Sequence, residues 1–252
     1  MTAESIPYRC ETALVIGAAS GIGRAVSRRL ATDGVRVLLA DVARQAVSEL
    51  ADEIAANGGS AEAFEVDVSD SAAVGRLFAD VGERAKRLDF LVNSFGVLDE
   101  ATFVEDLTDD QWDRMLAVNL SGVFYSCREA VRRMKGQRSG RIVNLASVAA
   151  LMPTPGALHY GASKGGVVQL TRTLASEVAR HGLRANAVAP GYVKTPMLDA
   201  MDEGFKDHIL RRTPLKRFAD PEEIAALIAF LSTPEADYLT GQVLSPNGGL
   251  VI

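Results

Sequence analysis

Several features that would place this chain in other protein classes are scarce or absent. Its 252 residues include only two cysteines, Cys10 and Cys127, and these lack the close Cys/His spacing of a metal site. We therefore expect no bound metal and a reducing, cytoplasmic setting. No run of about 18 apolar residues occurs, and the N-terminal segment MTAESIPYRCET lacks the apolar stretch of a signal peptide. Neither a membrane span nor secretion is expected.

An excess of basic residues is also missing. Lys and Arg number 27 against 32 Asp and Glu, which gives a formal net charge of -5. Binding to nucleic acid requires a concentrated basic face that neutralises phosphates, so we expect no nucleic-acid partner. With 48% hydrophobic and 23% charged residues, the composition is that of an ordinary globular protein. The length suits one α/β domain over residues 1–252.

Short apolar runs alternate with longer amphipathic runs along the whole chain. The short runs predict seven strands, at 12–16, 36–40, 61–66, 89–93, 141–145, 184–189 and 242–246. The longer runs predict helices at about 22–33, 43–57, 70–86, 109–135, 158–181 and 221–232. Asp220 and Pro221 are typical of an N-cap and a first helical residue for the last of these. The alternation predicts a doubly wound, parallel, seven-stranded sheet with helices on both faces.

One long connection interrupts this alternation. Residues 190–221 have no clear periodicity and follow the carboxyl end of the sixth predicted strand. Ligands bind at that end of the strands in open α/β sheets. A long irregular segment in a compact domain is usually functional. We therefore expect a substrate lid at about 190–221.

Three glycines lie between the first predicted strand and the first predicted helix, in the stretch LVIGAASGIGRAV. Gly17, Gly21 and Gly23 are spaced G-x-x-x-G-x-G, which differs from the G-x-G-x-x-G of the standard dinucleotide fingerprint. Gly17 suits the sharp turn after the strand. Gly21 and Gly23 allow backbone N–H groups at the start of the helix to approach a pyrophosphate. The alternative is a tight strand-to-helix turn without a ligand.

Asp41 ends the second predicted strand, 18 residues after Gly23. This is near the spacing at which an acidic residue accepts hydrogen bonds from the adenosine ribose of a dinucleotide. Its carboxylate would repel the 2′-phosphate of NADP, and neither Ser20 nor Val42 supplies a cation to offset the repulsion. We therefore predict NAD as the cofactor, with NADP less favourable. The alternative for Asp41 is an N-cap of the helix that starts near Ala43.

A candidate catalytic set follows the fifth predicted strand. Tyr160 and Lys164 are four residues apart at the start of a predicted helix, so their side chains share one face. A free phenol has a pKa of about 10, and a nearby ammonium, a helix N-terminus and a cationic nicotinamide each favour the tyrosinate. Ser147 lies just beyond the strand, where its hydroxyl can hold a substrate oxygen beside Tyr160. A turn or N-cap role is the alternative for Ser147.

The glycine loop, the acidic residue after the second strand and the Ser/Tyr/Lys set, in this order, resemble the classical short-chain dehydrogenase/reductase family. The resemblance covers essentially the whole chain and implies a Rossmann-like fold. The family's glycine motif TGxxxGxG matches Gly17, Gly21 and Gly23, with Ile16 in place of the threonine. VNSFG at 92–96 differs from the family's NNAG at its two central residues. We expect either an apolar contact between the two departures, or a Phe ring that points into the pocket.

The resemblance also implies further site residues. Asn119, in LAVNLSG, corresponds to the family's fourth catalytic residue beside Ser147, Tyr160 and Lys164, and its main chain would hold a water that relays protons to the lysine. The alternative for Asn119 is a polar residue within an ordinary helix. The implied cofactor-binding residues are Gly17, Ser20, Gly21, Ile22, Gly23, Asp41, Asp67, Val68, Asn93, Gly96, Tyr160, Lys164, Pro190, Gly191, Val193 and Thr195.

The function that the resemblance implies is that of an NAD(H)-dependent oxidoreductase, which interconverts a small secondary alcohol and a ketone by hydride transfer. Tyr160 would move the proton, Lys164 would lower the pKa of Tyr160 and hold the ribose, and Ser147 would orient the oxygen. One alternative is an NADP-linked 3-oxoacyl-carrier-protein reductase. Another is a non-catalytic nucleotide-sensing protein on the same scaffold.

The resemblance further implies a homotetramer. Its interfaces would use the C-terminal strand and the helices predicted at 109–135 and 158–181. Both helices carry apolar residues on more than one face. His159, next to the candidate catalytic tyrosine, is expected at the surface or at an interface, and the alternative is a catalytic role.

Overall fold

Seven strands form one parallel sheet in the computed structural model, which describes residues 10–252. They are β1 (Thr12–Ile16), β2 (Arg36–Asp41), β3 (Ala61–Glu65), β4 (Phe90–Asn93), β5 (Gly140–Leu145), β6 (Leu183–Val188) and β7 (Val243–Leu244). The order across the sheet is β3-β2-β1-β4-β5-β6-β7. The predicted seven strands are therefore confirmed. Most of the segment that argued against a signal peptide lies outside the described residues.

Helices cover both faces of this sheet. Those in the described part of the chain are α1 (Gly21–Thr32), α2 (Arg44–Ala56), α3 (Ser71–Arg84), α4 (Asp109–Leu116), α5 (Gly122–Gln137), α6 (Leu158–Val178), α7 (Pro196–Asp199), α8 (Glu203–Arg212) and α9 (Pro221–Leu231). Among residues 10–252, no helix is long and apolar enough to cross a membrane. As predicted, α9 begins with Asp220 as its N-cap and Pro221 as its first residue.

The strands are short apolar runs because both of their faces are buried. In β1, Leu14 and Ile16 belong to a core shared with α3, α5 and α6. Ala13 and Val15 belong to the opposite core, shared with α1, α2 and α9. Successive side chains of a strand point to opposite faces, so one strand contributes to both cores. The prediction of a doubly wound sheet with helices on both faces is confirmed.

The helix predicted at 109–135 is interrupted. A π-helical turn at Ala117–Ser121 separates α4 from α5. Turns of this kind are rare and occur frequently at functional sites. The apolar periodicity does not reveal the interruption, because α4, the π-helical turn and α5 follow one another in the chain without a break.

The connection at 190–221 is not irregular throughout, so that part of the prediction was wrong. It contains α7 and α8, which is capped by the Asp202 carboxylate accepting from the Phe205 N–H at 3.1 Å. Ile209 is the only buried residue of α8. A mostly polar helix lacks the apolar stripe by which a helix is predicted from sequence.

Within residues 10–252, two non-glycine residues adopt left-handed backbone conformations, Arg138 with φ 51° and Lys216 with φ 54°. Arg138 is the C-cap of α5. A side chain in this region costs about 1–2 kcal/mol relative to ordinary conformations, whereas glycine occupies it freely.

We therefore expect Arg138→Gly to raise the free energy of unfolding by about 0.5–1 kcal/mol, after allowance for the larger entropy of glycine in the unfolded chain. Urea titration of both proteins measures the change. Arg138→Ala, which removes the guanidinium but keeps Cβ, is the control. If the glycine variant is no more stable than the alanine variant, backbone strain is not the cause.

Candidate active site

The loop between β1 and α1 is closed tightly on itself. A Cβ at Gly17 would lie 2.5 Å from the Phe95 amide nitrogen, and a Cβ at Gly23 would lie 2.0 Å from the Gly17 carbonyl oxygen. Ser20 is the N-cap of α1 but makes no side-chain capping bond. The first N–H groups of a helix bind anions when no cap occupies them. The glycines leave the backbone of this loop open to close approach by a ligand, and the uncapped N-terminus of α1 lies directly after it. Both features fit the pyrophosphate of a dinucleotide.

Asp41 turns its carboxylate toward this loop. Its Oδ2 accepts from the Ala19 N–H at 3.0 Å, and its Oδ1 accepts from the Ala43 N–H at 3.1 Å. The N-cap of α2 is Ala43, so the alternative role of Asp41 as that N-cap is wrong. The two backbone bonds hold the carboxylate at the end of β2, beside the glycine loop.

Asp67 and Val68 follow β3 along the same edge of the sheet. The Asp67 carboxylate accepts from the N–H and the hydroxyl of Ser69, at 2.9 and 2.6 Å. Val68 is buried, and its Cβ would lie 3.0 Å from a Cβ at Gly122, the first residue of α5. These two predicted cofactor residues thus place an acidic and an apolar side chain side by side at this edge of the sheet.

The segment after β6 closes the opposite side of the crevice. Pro190, Gly191 and Val193 form its first part, and Pro190 and Val193 are buried. Thr195, the N-cap of α7, places its methyl group 3.0 Å from the position of a Cβ at Gly21. The loops that follow β1 and β6 therefore meet directly, and the predicted cofactor residues from both lie in one crevice.

The predicted catalytic side chains meet at the carboxyl end of β5. The Ser147 hydroxyl is hydrogen-bonded to the Tyr160 phenol. The Lys164 Nζ lies 5.9 Å from the centroid of the Tyr160 ring and donates to the Leu145 carbonyl at 3.0 Å. Ser147 Oγ also accepts from the Ala149 N–H at 3.1 Å, so its turn role and its place in the site coexist.

Burial controls the protonation of this set. It lowers the pKa of the Lys164 ammonium to about 8. Burial also raises the pKa of the Tyr160 phenol. The hydrogen bond from Ser147 lowers that pKa, but the effect of burial is larger. The expected preference for a tyrosinate is therefore not produced by the protein groups alone. They keep the phenol protonated, which suits a proton donor to a carbonyl oxygen.

Asn119 is fully buried in the π-helical turn. Its Oδ1 accepts from the Val97 N–H at 2.8 Å, and its Nδ2 donates to the Val97 carbonyl at 2.9 Å. A Cβ at Gly96 would lie 3.1 Å from Lys164 Nζ and 3.2 Å from Asn119 Oδ1. The amide thus holds the segment after β4 against Lys164, and Gly96 gives both groups the space they need.

Comparisons with known proteins agree with this geometry. Residues 17–251 match a family model described as Enoyl-(Acyl carrier protein) reductase. The 3-oxoacyl-(acyl-carrier-protein) reductase FabG of Thermotoga maritima is 39% identical, over 95% of this chain and 97% of its own. The (3R)-3-hydroxyacyl-CoA dehydrogenase of Canis lupus familiaris is 38% identical, over 98% of this chain and 99% of its own. The crystal structure of a short-chain type dehydrogenase/reductase from Mycobacterium marinum superposes with a TM-score of 0.89 at 30% identity, covering 96% of this chain and 95% of its own.

The chain belongs to the short-chain dehydrogenase/reductase family. The resemblance first drawn from its motifs is therefore confirmed, and so is the Rossmann-like fold that it implied.

Asn93 has a role in this short-chain dehydrogenase/reductase that differs from the expected one. Its Nδ2 donates to Asn144 Oδ1 at 2.8 Å, and Asn144 Nδ2 donates to Thr171 Oγ1 at 2.9 Å. All three side chains are buried between β4, β5 and α6. The Asn93 side-chain nitrogen is therefore bonded within the core, while its buried Oδ1 has no hydrogen-bond partner among the described residues.

The two departures from the family motifs lie close together. Ile16 is fully buried, and Phe95 packs against the same apolar cluster. The Ser94 N–H donates to the Ile16 carbonyl at 2.8 Å, so a backbone bond joins the ends of β1 and β4. The Phe95 ring extends toward α5, with Cε2 3.1 Å from the position of a Cβ at Gly122. This arrangement favours the apolar contact over a ring in the pocket.

The expectation that His159 lies at the surface or an interface was wrong. Its side chain is fully buried within the single chain, because the first turn of α6 packs against the segment that follows β4. Motif reasoning also missed Ser163, whose hydroxyl donates to the Tyr160 carbonyl at 2.7 Å and accepts from Asn119 Nδ2 at 3.3 Å. The only signal for Ser163 was its position beside Lys164.

Tyr160→Phe should lower turnover about 100-fold or more while cofactor affinity changes little, because the ring remains but the hydroxyl that donates and accepts the proton is lost. Steady-state oxidation of the reduced cofactor with a ketone, and a cofactor titration followed by fluorescence, measure the two quantities. Tyr238→Phe, at a fully exposed position, is the matched control. Near wild-type turnover of the Tyr160 variant would show that the catalytic assignment is wrong.

Proposed function

We propose that this short-chain dehydrogenase/reductase interconverts 3-oxoacyl and 3-hydroxyacyl thioesters, with NAD(H) as the preferred cofactor. The observation that carries the proposal is the contact between the Ser147 hydroxyl and the Tyr160 phenol, which lets both groups meet one carbonyl oxygen at the carboxyl edge of the sheet. The names of the relatives from Thermotoga maritima and Canis lupus familiaris, a 3-oxoacyl reductase and a 3-hydroxyacyl dehydrogenase, support the substrate class.

The residues of the chain divide the work of this reaction. Ser147 orients the substrate oxygen, and Tyr160 gives that oxygen a proton during reduction or takes one from the alcohol during oxidation. Lys164, anchored on the Leu145 carbonyl, presents its ammonium beside Tyr160 and toward the expected ribose. Asn119 holds the wall of the site through Val97. When bound, the nicotinamide supplies or accepts the hydride.

The preference for NAD rests on Asp41. Its carboxylate is held by two backbone N–H groups beside the glycine loop, where the adenosine ribose is expected. A 2′-phosphate would bring about 1.5–2 further negative charges to this position. Arg44, the first residue of α2, is the nearest cation that follows in the sequence, and Ser20 and Val42 carry no charge.

We expect NAD to bind at least about tenfold more tightly than NADP, a difference of about 1.4 kcal/mol. Asp41→Ser should narrow or reverse the preference by removing the repulsion. Titrations of both cofactors against both proteins test this, with Asp33→Ser at the exposed end of α1 as the control. Equal affinities for the two cofactors in the unchanged protein would contradict the assignment.

The substrate class is tested with a panel of four compounds: acetoacetyl-CoA, a 3-oxoacyl-carrier-protein, an enoyl thioester and a simple cyclic ketone. We expect kcat/KM for the better 3-oxoacyl thioester to exceed that for the cyclic ketone at least about tenfold, because a thioester substrate has binding groups beyond its carbonyl. Activity on the cyclic ketone alone would replace the proposed substrate with a simple alcohol or ketone. Cofactor binding without turnover of any compound would favour a nucleotide sensor.

We also infer a lid and an assembly. Tyr192 packs edge-on against Phe205 of α8, with ring centroids 5.9 Å apart, and its pKa is raised by burial and by the proximity of Tyr160. The segment with α7 and α8 thus reaches the catalytic tyrosine, as a substrate lid would.

Phe124 of α5 and Leu158 of α6 remain partly exposed, which supports tetramer interfaces on these two helices.

A further inference from the structure

A buried imidazole beside the catalytic tyrosine lacks a hydrogen bond. Both ring nitrogens of His159 are inaccessible and have no hydrogen-bond partner. Its Nε2 faces Asp99 Oδ2 at 3.5 Å, and this buried oxygen also lacks a partner. An imidazole N–H and a carboxylate oxygen can satisfy each other by a hydrogen bond. Here the two unpaired groups face each other, but the distance between them is slightly too long for such a bond.

The carboxylate is held from its other side. Arg114 of α4 donates to Asp99 Oδ1 at 2.7 Å, which leaves Oδ2 directed at His159. Asp99 belongs to the segment between β4 and α4, and two residues earlier Val97 is bound by Asn119. The segment therefore passes from the Lys164 ammonium, next to Gly96, to the imidazole of His159. It forms a wall of the site along the first turns of α6.

The position of the gap relates it to catalysis. His159 directly precedes Tyr160 on the first turn of α6, so a bond to its ring restrains the backbone that carries the phenol. A shift of the wall by about half an ångström would bring the nitrogen and the oxygen to ordinary hydrogen-bond distance. Hydrogen bonds of active sites are often long without ligand and shorten when substrate is bound.

We propose that His159 and Asp99 are positioning residues, whose hydrogen bond forms as the segment at 96–99 closes on substrate and fixes the turn that carries Tyr160. The inference rests on the proposed function, because it takes Tyr160 as the proton donor. Neither residue touches the reacting atoms. Their effect is on the placement of the phenol, where small displacements cost large factors in rate.

The kinetic test compares His159→Leu, Asp99→Asn and the double variant on the ketone that the protein reduces best. We expect each single variant to lower kcat about tenfold, NADH affinity to stay within about twofold, and the double variant to be no slower than either. His159→Gln should recover most of the rate, because its amide N–H reaches about as far as Nε2. Equal rates for the Gln and Leu variants, or independent effects of the two sites, would overturn the proposal.

A spectroscopic test needs no turnover and no variant that could fail to fold. The chain has three histidines, and His181 and His208 contact solvent, so a slowly exchanging ring N–H signal in ¹⁵N-labelled protein belongs to His159. Addition of NAD with acetoacetyl-CoA, a pair that cannot react, should shift this signal downfield and slow its exchange. An unchanged signal in a complex shown by titration to have formed would overturn the proposal.

The proposed function and the positioning role of His159 are contradicted by different results. Should Tyr160→Phe keep its turnover, the proposed function is wrong. Should Tyr160→Phe be inactive while His159→Leu is as fast as the unchanged protein, only the positioning role is wrong. If neither acetoacetyl-CoA nor the 3-oxoacyl-carrier-protein binds, the substrate class is wrong, and the same signal is followed with NAD and the best ketone of the panel.

Discussion

The crevice of this protein depends on how closely the loop after β1 approaches the end of β4. The backbone at Gly17 lies so near the Phe95 amide that a single methyl group would separate the two loops. The Gly17 N–H also donates to the Ala40 carbonyl, at 2.8 Å, so the loop is joined to β2 as well. These contacts aim the N-terminus of α1 at the point where the strand order reverses, between β1 and β4. Ligands of doubly wound sheets bind at that point.

The same edge of the sheet concentrates buried polar groups that the core would otherwise exclude. Lys164 loses the solvation of its ammonium there, and the Leu145 carbonyl compensates in part. Burying a charged group or a phenol costs free energy, and groups with shifted pKa values are concentrated at functional sites. The raised pKa of Tyr160 and the lowered pKa of Lys164 are consequences of one low-dielectric site.

The segment after β4 links these two features. It begins at the close approach to Gly17, passes the Lys164 ammonium at Gly96, and ends against the first turn of α6. The π-helical turn at 117–121 directs the Asn119 amide to Val97 in this segment. Successive side chains of a regular helix point about 100° apart, so the wider π-helical turn changes which side chain of this stretch faces the segment.

Local sequence pattern was sufficient to predict the parallel sheet, the glycine loop and the order of Ser147, Tyr160 and Lys164. Apolar runs and motif spacing can be read from residues that are close in sequence. The helices within 190–221 escaped it because a mostly polar helix has no apolar stripe, and the π-helical turn escaped it because it follows α4 and precedes α5 without a break. The inward direction of Asn93 and the burial of His159 depend on partners far along the chain, Asn144 and Asp99. Sequence by itself determined the fold and the chemical set. Only the tertiary structure decided which polar side chains face the crevice and which face the core, because that choice depends on contacts between distant segments.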